Sequence, residues 1–177
     1  MARPRVSVFL GMSLDGFIAR ENNELDFLSI VNTNPPEDTG YNAFFASVDV
    51  LVMGRRTYDV VVAFPSWPYG DKRLIVLTSR SVQPQHGETF YNGSLCALLD
   101  QLGAEGIQHV YLDGGATVRQ GLLEDVVDEL TLSWVPIIIG SGIPLFDKTL
   151  PDTKLQLVSS RAFPSGLLQT IYKVLRS

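Results

Sequence analysis

Four short apolar runs constrain this chain more than any other feature: Val6 to Met12, Val50 to Met53, Arg73 to Leu77 and Val110 to Leu112. Each is cut off by a turn of glycine, hydroxyl, acidic or basic residues. Near-continuous apolar runs of this length suit strands that are covered on both faces. The segments between them hold helices: Tyr41 to Ser47, with Phe44 and Phe45 turned inward, and a short β-branched helix that stops near Phe64-Pro65. A third is capped by Ser94 and stopped at Gly103, and a fourth starts at Ala116 and ends between Asp125 and Val127. Beyond Asp125 strands dominate: Leu130 to Val135, then Lys154 to Ser160 and Leu167 to Leu175 as a hairpin round Pro164-Ser165-Gly166. This order predicts an α/β fold, with a mainly parallel central sheet, helices on both faces and an antiparallel edge at the C-terminus.

Composition narrows the partners. The 177 residues fit one domain, and 45% hydrophobic against 19% charged residues is a globular balance. A net charge of −5 with no basic run argues against nucleic acid and against an anionic membrane surface, leaving a small molecule as the expected ligand. The lone Cys96 forms no internal disulfide, and with only His86 and His109 beside it no usual zinc set is available. Arg3 and Arg5 before Val6 to Met12 imitate a signal peptide, but the apolar part is short and Asp15 interrupts it. A reduced, metal-free, cytoplasmic protein is expected.

Three of the strand ends carry phosphate-friendly residues: Gly54-Arg55-Arg56-Thr57, Thr78-Ser79-Arg80 and Asp113-Gly114-Gly115-Ala116-Thr117-Val118. In an open α/β sheet such loops collect along one edge, where ligands bind. Arginines supply charge, Thr57 and Ser79 hydroxyls, and the glycine turn exposes backbone N–H groups at a helix start. Each loop alone reads first as a solvated turn; together they suit a dinucleotide. There is no GxGxxG, GxxxxGK[ST] or GxSxG pattern, and His109 reads as a packed residue rather than a base.

The ordered set Ser13-Leu14-Asp15-Gly16-Phe17-Ile18-Ala19, Val52 to Tyr58, Leu77-Thr78-Ser79, Leu112 to Ala116 and Val135-Pro136 to Phe146 resembles the dihydrofolate reductase fold family. Within it the chain is most similar to the reductase domain at the C-terminus of the bifunctional riboflavin-biosynthesis deaminase-reductase, in small stand-alone form. The resemblance implies a three-layer fold and an NADPH-dependent reductase. It assigns Gly54, Arg55, Arg56, Thr57, Leu77, Thr78, Ser79 and Arg80 to the adenosine 2′-phosphate and adjoining groups. Asp113, Gly114, Gly115, Ala116, Thr117 and Val118 fall on the pyrophosphate, and Gly11 and Ile18 on the nicotinamide. It also implies a cis peptide between Gly114 and Gly115, a bond that costs about 2.5–4 kcal/mol.

The substrate side rests on fewer residues. Counting back from Met53, Asp38 lands where dihydrofolate reductases keep the acid that binds the pterin, and Asp38 or Asp15, or a water they orient, is the expected proton relay. The deaminase-reductases carry Glu where this chain has Asp113. Ser13, Tyr41, Trp67 and Tyr69 are the candidate substrate contacts, with core packing the other reading of the aromatics. The expected substrate is pteridine-like or a ribosylaminopyrimidine, and the expected assembly a homodimer. The alternative is a non-catalytic dimeric nucleotide-binding protein that kept the fold.

Overall fold

In the computed structural model, which describes residues 2–80 and 82–176, the apolar runs become neighbours in one eight-stranded sheet. The strands are β1 (Arg5–Ser13), β3 (Val50–Gly54), β4 (Arg73–Leu77), β5 (Thr89–Tyr91), β6 (His109–Asp113), β7 (Glu129–Val135), β9 (Leu155–Ala162) and β10 (Leu168–Val174). Their order is β5-β4-β3-β6-β1-β7-β10-β9. All pairings are parallel except those of β10 with β7 and β9. A separate two-stranded ribbon joins β2 (Phe17–Ala19) to β8 (Ile143–Pro144).

Period-two alternation sends Val50 and Val52 to one face of β3, Leu51 and Met53 to the other, and all four are fully buried. The first face packs on α3 (Leu95–Ala104) and α4 (Gly115–Leu123) through Leu98, Leu99, Val118 and Leu122. The second packs on α1 (Tyr41–Ser47) and α2 (Arg55–Val62), with Tyr58, Val61, Tyr69 and Tyr111 inside it. Helices on both faces of a mainly parallel sheet, with an antiparallel C-terminal edge, are thus the observed architecture.

Two helix ends differ from the sequence reading. Gly103 does not stop α3: the helix runs on to Ala104, and Gly103 serves packing instead, since a Cβ there would come 2.8 Å from the Ala2 carbonyl oxygen. α4 ends at Leu123, short of the expected Asp125 to Val127, because Asp125 turns left-handed at φ 53° and sends Val126 and Val127 into the core. Among the described residues, no helix is long and apolar enough to cross a membrane.

Gly121 sits in mid-helix on α4, where helix propensity alone favours alanine by about 1 kcal/mol. A Cβ there would come 2.8 Å from Leu112 Cδ2 and 2.9 Å from Val127 Cγ2. Gly121→Ala is therefore expected to destabilise the protein by about 1–3 kcal/mol in urea unfolding, the opposite sign to the propensity.

Candidate active site

The strand order brings the three expected loops side by side, since β4, β3 and β6 are consecutive. The ladders pair Gly54 with Leu77 and Met53 with Asp113, so the loops leave the sheet at nearly one level. Gly54 is the N-cap of α2 and Gly114 that of α4, and neither helix start receives a side-chain cap. Two sets of unpaired N–H groups therefore lie on the same edge, which favours an anion.

The two turns lock into each other. A Cβ on Gly54 would lie 2.7 Å from Thr117 Oγ1, and one on Gly114 would run into the Thr57 hydroxyl. Thr57 and Thr117 thus pack against the partner turn. Thr117 is buried and Val118 fully so, and only their backbone can face a ligand; Ala116 is exposed. The Gly114–Gly115 peptide is trans, because among the described residues the cis bond is Asn34–Pro35 alone. The expected cis geometry is corrected: Gly114, at φ 94° and ψ 139°, makes the turn within trans geometry, and its N–H donates to Asp113 Oδ1 at 2.8 Å.

Charge gathers beside these turns. Arg55 pairs through Nε with Asp59 at 2.8 Å and donates to the Arg80 carbonyl at 3.2 Å, tying the loop after β4 to α2. Thr78 Oγ1 accepts the Arg80 N–H at 3.1 Å, which shapes that loop; Ser79 and Arg80 are exposed and Leu77 half-buried. The guanidinium groups of Arg56 and Arg80 have no hydrogen-bonding partner among the described residues. Arg55 and Arg56 line a groove of about 830 Å³ shared with Asn22, Asn23 and Glu24. Free guanidinium groups, two uncapped helix starts and side-chain-free turns form a donor set that fits a phosphorylated dinucleotide.

Ile18 reaches over the same edge, its Cδ1 2.8 Å from where a Cβ on Gly115 would be. Arg119 holds that ribbon in place, donating to the Pro144 carbonyl and pairing with Asp147 at 3.1 Å. Gly11 lies in β1 with Leu28 against it. Ser13 is fully buried and its hydroxyl accepts the Phe17 N–H at 3.0 Å, so it shapes the turn instead of facing the cleft.

The acids separate into two kinds. Asp15 is exposed and accepts the Ile139 and Gly140 N–H groups. The Ser13 hydroxyl and then those amides hold its carboxyl below the usual range, and Asp15 stays ionised at neutral pH. Asp38 is exposed and accepts the Gly40 N–H at 2.9 Å. Asp113 is partly buried, and desolvation pushes its carboxyl up to about 6 against the pull of the Gly114 N–H. Burial first and the Asp113 charge second raise the Tyr41, Tyr69 and Tyr111 phenols. Sequence reasoning gave Asp113 to the cofactor and missed its proton affinity; the available signal was an acid directly after the apolar run Val110 to Leu112.

Tyr69 is packed in the core, 5.3 Å from Trp67 and 6.2 Å from Phe45. Tyr41 and Trp67 are half-buried, and the Trp67 indole N–H is enclosed with no partner among the described residues.

The family model of the RibD C-terminal domain matches residues 4–169 of this chain. The uncharacterized protein YwjB of Bacillus subtilis (strain 168) is 36% identical over 160 residues, covering 88% of this chain and 90% of its own. YyaP from the same organism, also described as uncharacterized, is 26% identical over 181 residues, 95% and 94% of the two chains. The crystal structure of a putative riboflavin biosynthesis protein from Shewanella sp. PV-4 superposes with a TM-score of 0.91 at 35% identity, over 97% of this chain and 99% of that one. A deaminase/reductase from Thermotoga maritima shares the fold with a TM-score of 0.70 at 16% identity, over 98% of this chain and 57% of that one.

The raised Asp113 carboxyl has a consequence for stability. A folded pKa above the unfolded one favours folding at low pH, and that contribution is lost as pH rises from about 4 through about 6. Asp113→Asn keeps the Gly114 N–H acceptor without the buried charge. It is expected to raise stability by up to about 3 kcal/mol at pH 8 and to leave it nearly unchanged at pH 4, as read by thermal melts.

Proposed function

The chain belongs to the RibD C-terminal domain family, and on that premise we propose that it is a reductase that transfers hydride from NADPH to a C=N or C=O bond of a pteridine-like or ribosylaminopyrimidine substrate. The observation that carries this reading is the adjacency of a phosphate-suited edge and a protonatable acid on one side of one sheet. Arg55, Arg56, Ser79 and Arg80 hold the adenosine 2′-phosphate, and the N–H groups of the α4 start hold the pyrophosphate. Gly11 and Ile18 bound the place of the nicotinamide. NADPH, when bound, supplies the hydride. Asp113 holds the proton that the reduced substrate needs, and its affinity near pH 6 suits a general acid at neutral pH. Tyr41 and Trp67 offer aromatic surface for a planar ring.

The test is a titration with NADPH and NADH, followed by cofactor oxidation with dihydrofolate or the riboflavin-pathway pyrimidine. Arg55→Ala with Arg56→Ala is expected to weaken NADPH by about 10–100-fold and NADH by little, because charge-assisted phosphate contacts are lost for the first alone. Asp113→Asn is expected to bind NADPH and to turn over far more slowly. Equal losses for both cofactors count against the assignment, and binding without turnover of either substrate favours a non-catalytic nucleotide-binding protein.

Two copies are further proposed to pair along β9. This edge strand is exposed along its whole length, with Leu157 54% and Val158 59% accessible, whereas monomeric sheets keep edges short or charged. Antiparallel pairing of β9 with a second β9 gives a closed two-fold dimer. Sedimentation should show a dimer for the unaltered chain and a monomer for Leu157→Lys with Val158→Lys.

A further inference from the structure

Tyr58, on the helix that carries Arg55 and Arg56, leads to a buried acid outside the site described so far. Glu88 lies at the end of the connection between β4 and β5, directly before Thr89, and is 3% exposed. Its Oε1 accepts the Tyr58 hydroxyl at 2.5 Å and the Gln85 N–H at 2.7 Å, and its Oε2 accepts the His86 N–H at 2.7 Å. Burial alone would raise this carboxyl, but the hydrogen bonds from Tyr58, Gln85 and His86 outweigh it and hold the group below the usual range. Glu88 is an ionised carboxylate kept in the interior by three donors.

Arg55 and Tyr58 are three residues apart and share one face of α2. Through that face the helix holds both ends of the loop: Arg55 donates to the Arg80 carbonyl at 3.2 Å near its start, and Tyr58 donates to Glu88 at its end. Between these anchors the His86 ring stacks on Trp67 at 4.0 Å, so a third contact ties the loop to the aromatic wall. Ser79 and Arg80, beside α2, are among the exposed residues so presented.

We propose that Glu88 is a positioning residue: by fastening residues 82–88 to α2 through Tyr58, and so supporting the placement of residues 78–80, it sets the preference for a cofactor that carries a 2′-phosphate over one that lacks it. The inference rests on the NADPH reading above. A cofactor without the 2′-phosphate draws its affinity from the α4 turn, which Glu88 does not touch, and is indifferent to where Ser79 and Arg80 stand.

The test uses Glu88→Gln and Tyr58→Phe in the full chain, with two measurements. Hydrogen exchange of the Gln85 and His86 amides without cofactor reports whether the loop is fastened; both amides should exchange faster in Glu88→Gln. Dissociation constants for NADPH and NADH report selectivity: Glu88→Gln should weaken NADPH by about tenfold, the loss of one charge-assisted hydrogen bond, with NADH unchanged. Tyr58→Phe, which removes one hydroxyl and keeps the carboxylate, should move both readouts in the same direction by less, and carries the test if Glu88→Gln does not fold. Equal losses for both cofactors would reduce Glu88 to a stabilising role and overturn the proposal, as would unchanged exchange. An unaltered protein with no preference for NADPH would overturn the cofactor assignment and this selectivity role together, while the exchange rates would still show whether Glu88 fastens the loop.

Discussion

The packing of Thr117 against Gly54 and of Thr57 against Gly114 sets the distance between the two helix starts on which the ligand-facing edge depends. Neither glycine has room for a Cβ, and each threonine belongs to the helix that the other turn begins. Shifting either helix along its axis breaks both contacts at once. The same absence of side chains leaves the first N–H groups of α2 and α4 uncapped. A steric requirement of the fold thereby produces the electrostatic feature that suits a phosphate.

Asp113 shares that edge, and the balance at its carboxyl follows from where β6 ends. The Gly114 N–H and the nearby helix start favour the anion, yet desolvation outweighs them and the group titrates near 6. An anionic ligand at the α4 start would oppose ionisation of Asp113 further, because like charges raise a carboxyl's proton affinity. Ligand binding and proton retention therefore reinforce each other, by geometry alone.

The apolar runs that become β1, β3, β4 and β6 were legible because both of their faces are buried, which writes an unbroken apolar pattern into the sequence. The loops at their ends were legible as a shared site for the same reason, since parallel strands bring their C-terminal ends together. The proton affinity of Asp113 was not, because it comes from desolvation of the carboxyl by the folded surroundings, which the local sequence does not report. Glu88 escaped notice likewise, its partner Tyr58 lying thirty residues back. The cis bond failed for a different reason: family resemblance transfers a backbone geometry, whereas Gly114 here turns the chain with a trans peptide. Asp15 and Asp38 were chosen by position in a pattern, and position does not report whether a carboxylate is exposed or spent on backbone amides.

The linker of residues 32–40 is supported differently from the helix starts of α2 and α4. Parallel strands hold the latter. The former has no regular structure, and its supports come from the antiparallel edge. Gln169 on β10 donates to the Thr39 carbonyl at 3.0 Å, and Ser165 in the β9–β10 turn donates twice to the Glu37 carboxylate. Arg161 on β9 donates to the Asp38 carbonyl at 3.3 Å. The register that sets Gln169 beside Ser133 and Ser133 beside Gly11 continues this row of small and polar residues to the centre of the sheet. The C-terminal hairpin is thus the brace of the linker of residues 32–40, and any partner that pairs with β9 bears on a strand whose own side chain holds that linker in place.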